Sequence, residues 1–243
     1  MADRQIEKEY WKRRKSTEYR KGIGSYAVVK DAKIITNFLE DESGSALDFP
    51  CGEGRHSLLL KSLGFTVVSA DINNSMLEAT KILANTKIIN VDVFETKSMS
   101  EKYDVVLVSR LLFHYDDTAL IISNLSRLVK NDGIIIFDTL NKLSLRWIIH
   151  KLLLLIMKPL RFSVYYRHER SLTFVLQSQV LELVKPCSLQ LVKKYEEYIF
   201  PTRLYRFLPN HLISVFNLLQ SLLPGRFRVL TYWKFRKIGR DVV

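Results

Sequence analysis

From Ser45 to Asp138 the chain alternates short apolar runs with amphipathic stretches. The runs are Ser45–Phe49 (SALDF), Phe65–Ala70 (FTVVSA), Ile88–Val91, Tyr103–Ser109 (YDVVLVS) and Gly133–Asp138 (GIIIFD). Their length and continuity predict buried strands. Between them Arg55–Ser62, Ser75–Leu83 and Thr118 to about Lys130 predict helices, with Cys51–Gly54 a tight turn. Upstream, residues 1–21 predict a charged amphipathic helix, and Asp31–Leu39 a second with Ile34, Ile35, Phe38 and Leu39 on one face. Strands alternating with helices imply βαβ crossovers and a parallel sheet covered on both faces, a doubly wound α/β domain. Ligands of such sheets sit beyond the carboxyl ends of the strands, so the loops after Phe49, Ala70, Val91, Ser109 and Asp138 are where chemistry is expected.

The second half adds two apolar segments flanked by basic residues. Leu143–Phe162 holds Trp147, Ile148, Ile149 and the run Leu152–Met157, interrupted too often to span a bilayer. Leu204–Leu223 spaces Leu212, Val215, Phe216, Leu219 and Leu222/Leu223 as on a helix. Arg228–Lys237 (RVLTYWKFRK) predicts an edge strand, forming a hairpin with Leu189–Phe200. No repeat or linker divides the chain, which is read as one domain: N-terminal helices over 1–44, a ligand-binding core over 45–140, a helical elaboration over 141–225, and a terminal strand with a basic tail over 226–243.

Composition sharpens this. Of 243 residues, 47% are apolar and 26% charged, which excludes a disordered or low-complexity chain. Cys51 and Cys187 stand apart without a CxxC or histidine cluster, so neither a zinc site nor a disulfide framework is expected. With no apolar stretch at the N-terminus to serve as a signal peptide, the expectation is a cytoplasmic protein. Charge is uneven: residues 1–119 carry 17 Lys and Arg against 18 Asp and Glu, whereas residues 120–243 carry 20 against 7. Such a basic half suits an anionic partner or simply a solvated face.

The first loop reads Asp48-Phe-Pro-Cys-Gly-Glu-Gly-Arg-His-Ser57, and Asp71 follows the second apolar run. Gly52 and Gly54 permit a sharp turn and close approach of a ligand. An acid at the end of the second strand can accept from two ribose hydroxyls. A dinucleotide loop would need a third glycine or alanine where Ser57 stands, and Asp48 would oppose a pyrophosphate. The same carboxylate suits a ligand bearing an ammonium and a sulfonium.

On these residues the chain resembles the class I S-adenosylmethionine-dependent methyltransferases, well over about residues 20–140 and loosely beyond. The resemblance implies a Rossmann-like methyltransferase sheet with a helical insertion or lid in the C-terminal half, and S-adenosyl-L-methionine as cofactor. It implies that Asp48, Cys51, Gly52 and Gly54 hold the methionine portion, Asp71 the ribose and Ile72 the adenine. Asp92 would meet the adenine amino group with Val93 beside it, and Ser109, Arg110 and Leu111 would run past the sulfur. One departure is plain: Pro50 replaces the family's first glycine.

After the fourth strand, His114 and Tyr115 are candidates for a general base, with a helix cap as the structural alternative for His114. Arg167, His168 and Glu169 are further acceptor-side candidates, and Tyr19 and Tyr26 flank a Gly22-Ile-Gly24 segment suited to closing over the cofactor. The apolar segments can form a lid, lie on an anionic membrane surface, or do both. The expectation is therefore O-methylation of a small apolar or lipid-linked acceptor. An RNA methyltransferase and a noncatalytic binding protein are the alternatives; Ser109-Arg-Leu-Leu112 lacks the tetrapeptide of enzymes that methylate nucleic-acid amino groups.

Overall fold

Apolar runs that must bury both faces form the strands at the centre of the molecule. The computed structural model describes residues 9–13, 25–157, 172–198 and 208–239. Its strands are β1 (Ser45–Asp48), β2 (Thr66–Asp71), β3 (Lys87–Asn90), β4 (Tyr103–Val108), β5 (Val129–Asn141), β6 (Phe174–Val175), β7 (Leu189–Glu197) and β8 (Leu230–Lys237). The helices are α1 (Ser25–Leu39), α2 (Arg55–Ser62), α3 (Asn74–Ala84), α4 (Thr118–Ser126), α5 (Leu145–Met157), α6 (Gln177–Val184) and α7 (Asn210–Leu222). Residues 9–13 are helical as well.

The sheet runs β3-β2-β1-β4-β5-β8-β7, with the short β6 also pairing with β5. Strands β1 to β5 are parallel, as expected, and β8 is antiparallel to both β5 and β7. Strand order reverses between β1 and β4, which opens a crevice at their carboxyl ends. Alternate strand residues feed two cores. On one face Leu47, Val106, Ile135 and Trp233 meet Ile121 and Leu125 of α4 and Val180 of α6. On the other, Ala46, Val105, Ile134 and Tyr232 meet Ile35 and Phe38 of α1 and Leu60 of α2.

Two expectations change and a third gains an orientation. The predicted edge strand, now β8, lies inside the sheet, and β7 is the edge. Its basic residues suggested exposure, but Lys234 and Arg236 both end on Glu42, at 2.7 and 2.6 Å, while Tyr232, Trp233 and Phe235 are buried. The helix expected to reach Lys130 stops at Ser126, because Val129 already pairs with Tyr103. A left-handed Asp132 then precedes Gly133, where a Cβ would come within 2.9 Å of the Asp104 carbonyl. The third concerns the stripe on α7: Leu212, Val215, Leu219 and Leu222 face outward with Leu218. The inner face of α7 is partly polar, with Gln220 bonding Glu197 and Asn217 accepting from Tyr26 at 2.7 Å. Among the described residues no helix is long and apolar enough to cross a membrane.

Candidate functional site

At the carboxyl ends of β1, β2, β3 and β4 lies a cavity of about 430 Å³. Helices α2 and α3 frame its loops. Gly54 caps α2 at φ 84°, and a Cβ there would approach the Thr80 backbone of α3 to 2.9 Å. That glycine is required for packing α2 on α3. Gly52, also left-handed at φ 52°, lies on the cavity wall. Thr80 Oγ1 donates to its carbonyl at 2.8 Å, which ties the loop to α3.

Asp71 closes β2 inside the same cavity. Its Oδ2 accepts from Gly52 N–H at 3.0 Å and its Oδ1 from Asn73 N–H at 2.9 Å. Each carboxylate oxygen keeps a further lone pair for a ligand hydroxyl. Burial pushes the Asp71 carboxyl up, against the pull of those backbone N–H groups. Asn73 caps α3 through Ser75 N–H and Met76 N–H, and its Nδ2 donates to the Trp11 carbonyl at 2.7 Å.

Across the strand-order reversal, Ser109, Arg110 and Leu111 line the cavity's other side. Arg110 has φ 61°, a left-handed conformation that is rare for a residue with a side chain. His114, on the 3-10 turn Leu112–His114, and Tyr115 stand on the wall next to this segment. The His114 ring lies between Phe113 and Trp11, each at 4.7 Å between centroids, and Tyr115 packs edge-on against Phe94. Trp11 thus touches both the ribose-side loop and the candidate base.

Among the residues singled out from sequence, the cavity gathers Cys51, Gly52, Asp71, Ile72, Asp92, Val93, Ser109, Arg110, Leu111, His114 and Tyr115. Asp92 fixes its own loop by accepting from Phe94 N–H at 3.0 Å. Asp48 and Gly54 are not on the wall. The Asp48 side chain is fully buried behind the loop, where Ser57 Oγ donates to it at 2.6 Å, and burial pushes its carboxyl up to about 7. Its charge lies behind the wall. Tyr26 is held against α7, while Tyr19, residues 22–24, Arg167, His168 and Glu169 lie outside the described residues.

The structure adds lining residues that sequence reasoning passed over: Trp11, Arg55, His56, Asn73 and Met76. Arg55 opens α2 and brings a guanidinium to the wall. Its Nη1 and the Nε2 of His56 are buried atoms without a hydrogen-bond partner, and burial pulls the His56 imidazole well below its usual range. Burial pushes the Cys51 thiol up, with Asp48 and Asp71 adding to the effect, which favours the protonated form. The Gly-Arg pair at the start of α2 was the available signal for Arg55; nothing local marked Trp11.

A loop glycine at the end of β1, a buried acid at the end of β2 and a polar residue after β3, all on one cavity at the strand-order reversal, define the class I S-adenosylmethionine-dependent methyltransferase fold. Residues 47–137 match the family model described as a methyltransferase domain. The family's cofactor is S-adenosylmethionine. One relative, named ubiquinone biosynthesis O-methyltransferase, from Pelagibacter ubique, is 30% identical over 119 residues. The match covers 47% of this chain and 50% of the relative, so the chain spans about half the length of that protein. The magnesium protoporphyrin IX methyltransferase of Synechocystis, solved with S-adenosylhomocysteine, has a TM-score of 0.61 at 15% identity, over 86% of this chain and 82% of its own. The [4+2]-cyclase SpnF has the same TM-score at 13% identity, over 90% and 87%. The fold is therefore shared by proteins of different chemistry.

Proposed function

We propose that the protein transfers a methyl group from S-adenosylmethionine to an oxygen of a small apolar or lipid-linked acceptor. The observation that carries this reading is the single cavity joining Asp71, Asp92 and Gly52 to Ser109–Leu111 and His114. The residues fit the cofactor: Asp71 retains acceptor capacity for the ribose, Gly52 leaves room beside it, and Arg55 offers an unpaired donor to a carboxylate. When bound, the cofactor supplies an electrophilic methyl group on a sulfonium. Catalysis then consists largely of holding an acceptor hydroxyl in line with that methyl. His114 takes the hydroxyl proton as the new carbon–oxygen bond forms and the carbon–sulfur bond breaks. Trp11 and Leu111 narrow the cavity against water.

An apolar acceptor is supported by the outward leucines of α7 and by the basic second half, a combination suited to a lipid interface. The oxygen as target is favoured by the name of the Pelagibacter relative. The test is calorimetry with S-adenosylhomocysteine, then transfer of labelled methyl to a total lipid extract and, separately, to total RNA. Co-sedimentation with anionic and neutral vesicles over a salt series accompanies them. Label in the lipid fraction with weakly salt-dependent vesicle binding is the expected result. Labelled RNA with a steep log-linear salt slope would replace this acceptor class by nucleic acid.

A further inference from the structure

Behind the Ser109–Leu111 segment lies a buried cluster centred on residues that do not line the cofactor cavity but grip two, Arg55 and Arg110, that do. Asp31 of α1, 1% exposed, is its centre. Arg110 Nη2 donates to both Asp31 oxygens at 2.9 and 2.8 Å, and Arg55 Nη2 reaches Oδ2 at 3.2 Å. The Tyr198 hydroxyl donates to Oδ1 at 3.1 Å, and the Tyr232 hydroxyl donates to the same oxygen. From β5, Asp138 accepts the Arg110 backbone N–H at 2.8 Å and lies 3.3 Å from its Nε. Burial alone would raise the Asp31 carboxyl, but the guanidiniums of Arg110 and Arg55 outweigh it and hold Asp31 well below the usual carboxylate range.

Four residues from four places in the chain thus converge on the Asp31 carboxylate, and Asp138 joins them through Arg110. Two of them, Arg110 and Tyr198, have left-handed backbones, at φ 61° and 65°. Non-glycine residues keep such conformations only where their surroundings enforce them, and the clamp on Arg110 from both Asp31 and Asp138 supplies that enforcement. Tyr198 and Tyr232 belong to the β7–β8 half of the molecule, whereas Arg110 lines the cofactor cavity. The cluster is the mechanical link between the two.

We propose that Asp31, Tyr198 and Tyr232 are positioning residues that act through Arg110 to hold the Ser109–Leu111 segment against the amino-acid portion of the cofactor. This rests on the methyltransferase reading and extends it to residues far from the cofactor loops. Because β1 lies between β2 and β4, Ser109–Leu111 stand across the strand-order reversal from Asp71, so a ligand with its ribose at Asp71 would meet them with its sulfur and, beyond it, chiefly with its amino-acid portion. Loosening the segment therefore weakens ligands that carry the amino-acid portion and spares those that lack it.

The experiment measures affinities of the full chain for S-adenosylhomocysteine and 5′-methylthioadenosine, in wild type, Asp31→Asn and Tyr232→Phe, with melting temperature alongside. Tyr232→Phe keeps the core ring and removes only the hydroxyl, so it remains informative if Asp31→Asn fails to fold. The expected result is a loss of about tenfold or more for S-adenosylhomocysteine in Asp31→Asn and a smaller loss in Tyr232→Phe, with 5′-methylthioadenosine changed less than about twofold. Equal losses for both ligands, or none for either, overturn the positioning role and leave the cofactor reading intact. A wild-type protein that binds neither ligand overturns both.

Discussion

Replacing Asp71 tests the site where geometry makes the firmest demand. Both its oxygens already anchor backbone, Oδ2 to Gly52 N–H and Oδ1 to Asn73 N–H, and each has capacity for one ribose hydroxyl. A hydrogen bond to a charged group contributes roughly 1.5–3 kcal/mol, so losing two costs about 3–6 kcal/mol, or about 10²–10⁴-fold in affinity. Asp71→Ala should show that range, plus a lower melting temperature, because two loop N–H groups lose their acceptor. In Asp71→Asn one oxygen persists while the amide nitrogen cannot accept from Gly52, so about 10–10²-fold is expected. With one loop N–H left without its acceptor, and burial of the Asp71 charge relieved in return, Asp71→Asn should lower the melting temperature less than Asp71→Ala does. Isothermal calorimetry with S-adenosylhomocysteine near neutral pH reads the first quantity and scanning calorimetry the second. Asn and Ala variants that both bind within about twofold of wild type would refute the ribose assignment.

Other substitutions probe the supporting parts. In Asp48→Asn the amide oxygen can still accept from Ser57, and removing a buried charge should raise the melting temperature by a few degrees. Because the Asp48 carboxyl is pushed up to about 7 and that of Asp138 to about 6, these two carboxyls hold more protons in the folded than in the unfolded state between about pH 4 and 7 and outnumber the opposing His56, which burial keeps neutral when folded. Wild-type stability should therefore rise as pH falls through that window, and Asp48→Asn should flatten the upper part of the rise; a wild-type curve that declines from pH 7 to 5 would contradict it. Gly54→Ala, with its left-handed φ and the Thr80 backbone in the way, should cost about 2 kcal/mol or more in urea unfolding, and an unchanged midpoint would dismiss the packing argument. His114→Ala should slow methyl transfer by about 10²-fold while S-adenosylhomocysteine affinity stays within about twofold, and equal losses in both would end its role as base.

What could be read from the chain followed the range of the interactions involved. Strands β1, β2, β4 and β5 were legible because burial demands continuous apolar runs, β3 at the sheet edge from Ile88 and Ile89 alone, and Asp71 stood out as the acid that closes β2; the two-residue parallel β6 left no such run. Asp48 was legible as a residue but not in direction, since the loop's path decides whether its side chain meets ligand or Ser57. The clamp around Asp31 left no local trace: Arg110 and Tyr232 are brought to it by the sheet, not by spacing. Strand β8 lies inside the sheet although it carries Lys234 and Arg236, and it is the distant Glu42 that takes up both charges, which spacing along the chain does not reveal.

The position of β8 also dictates the order of assembly. Strand β5 pairs with it from Ile134 against Arg236 to Leu140 against Leu230, across roughly ninety or more intervening residues. The strands of the parallel half all precede β8 along the chain, so during synthesis the Ile134–Phe137 flank of β5 waits for its partner strand. Open flanks of this kind, rich in isoleucine and without charge, recruit other chains. The arrival of Leu230–Lys237 covers that flank and, through Tyr232, also completes the clamp on Arg110 at the crevice wall. Chaperone demand, rather than final stability, is where this topology makes itself felt.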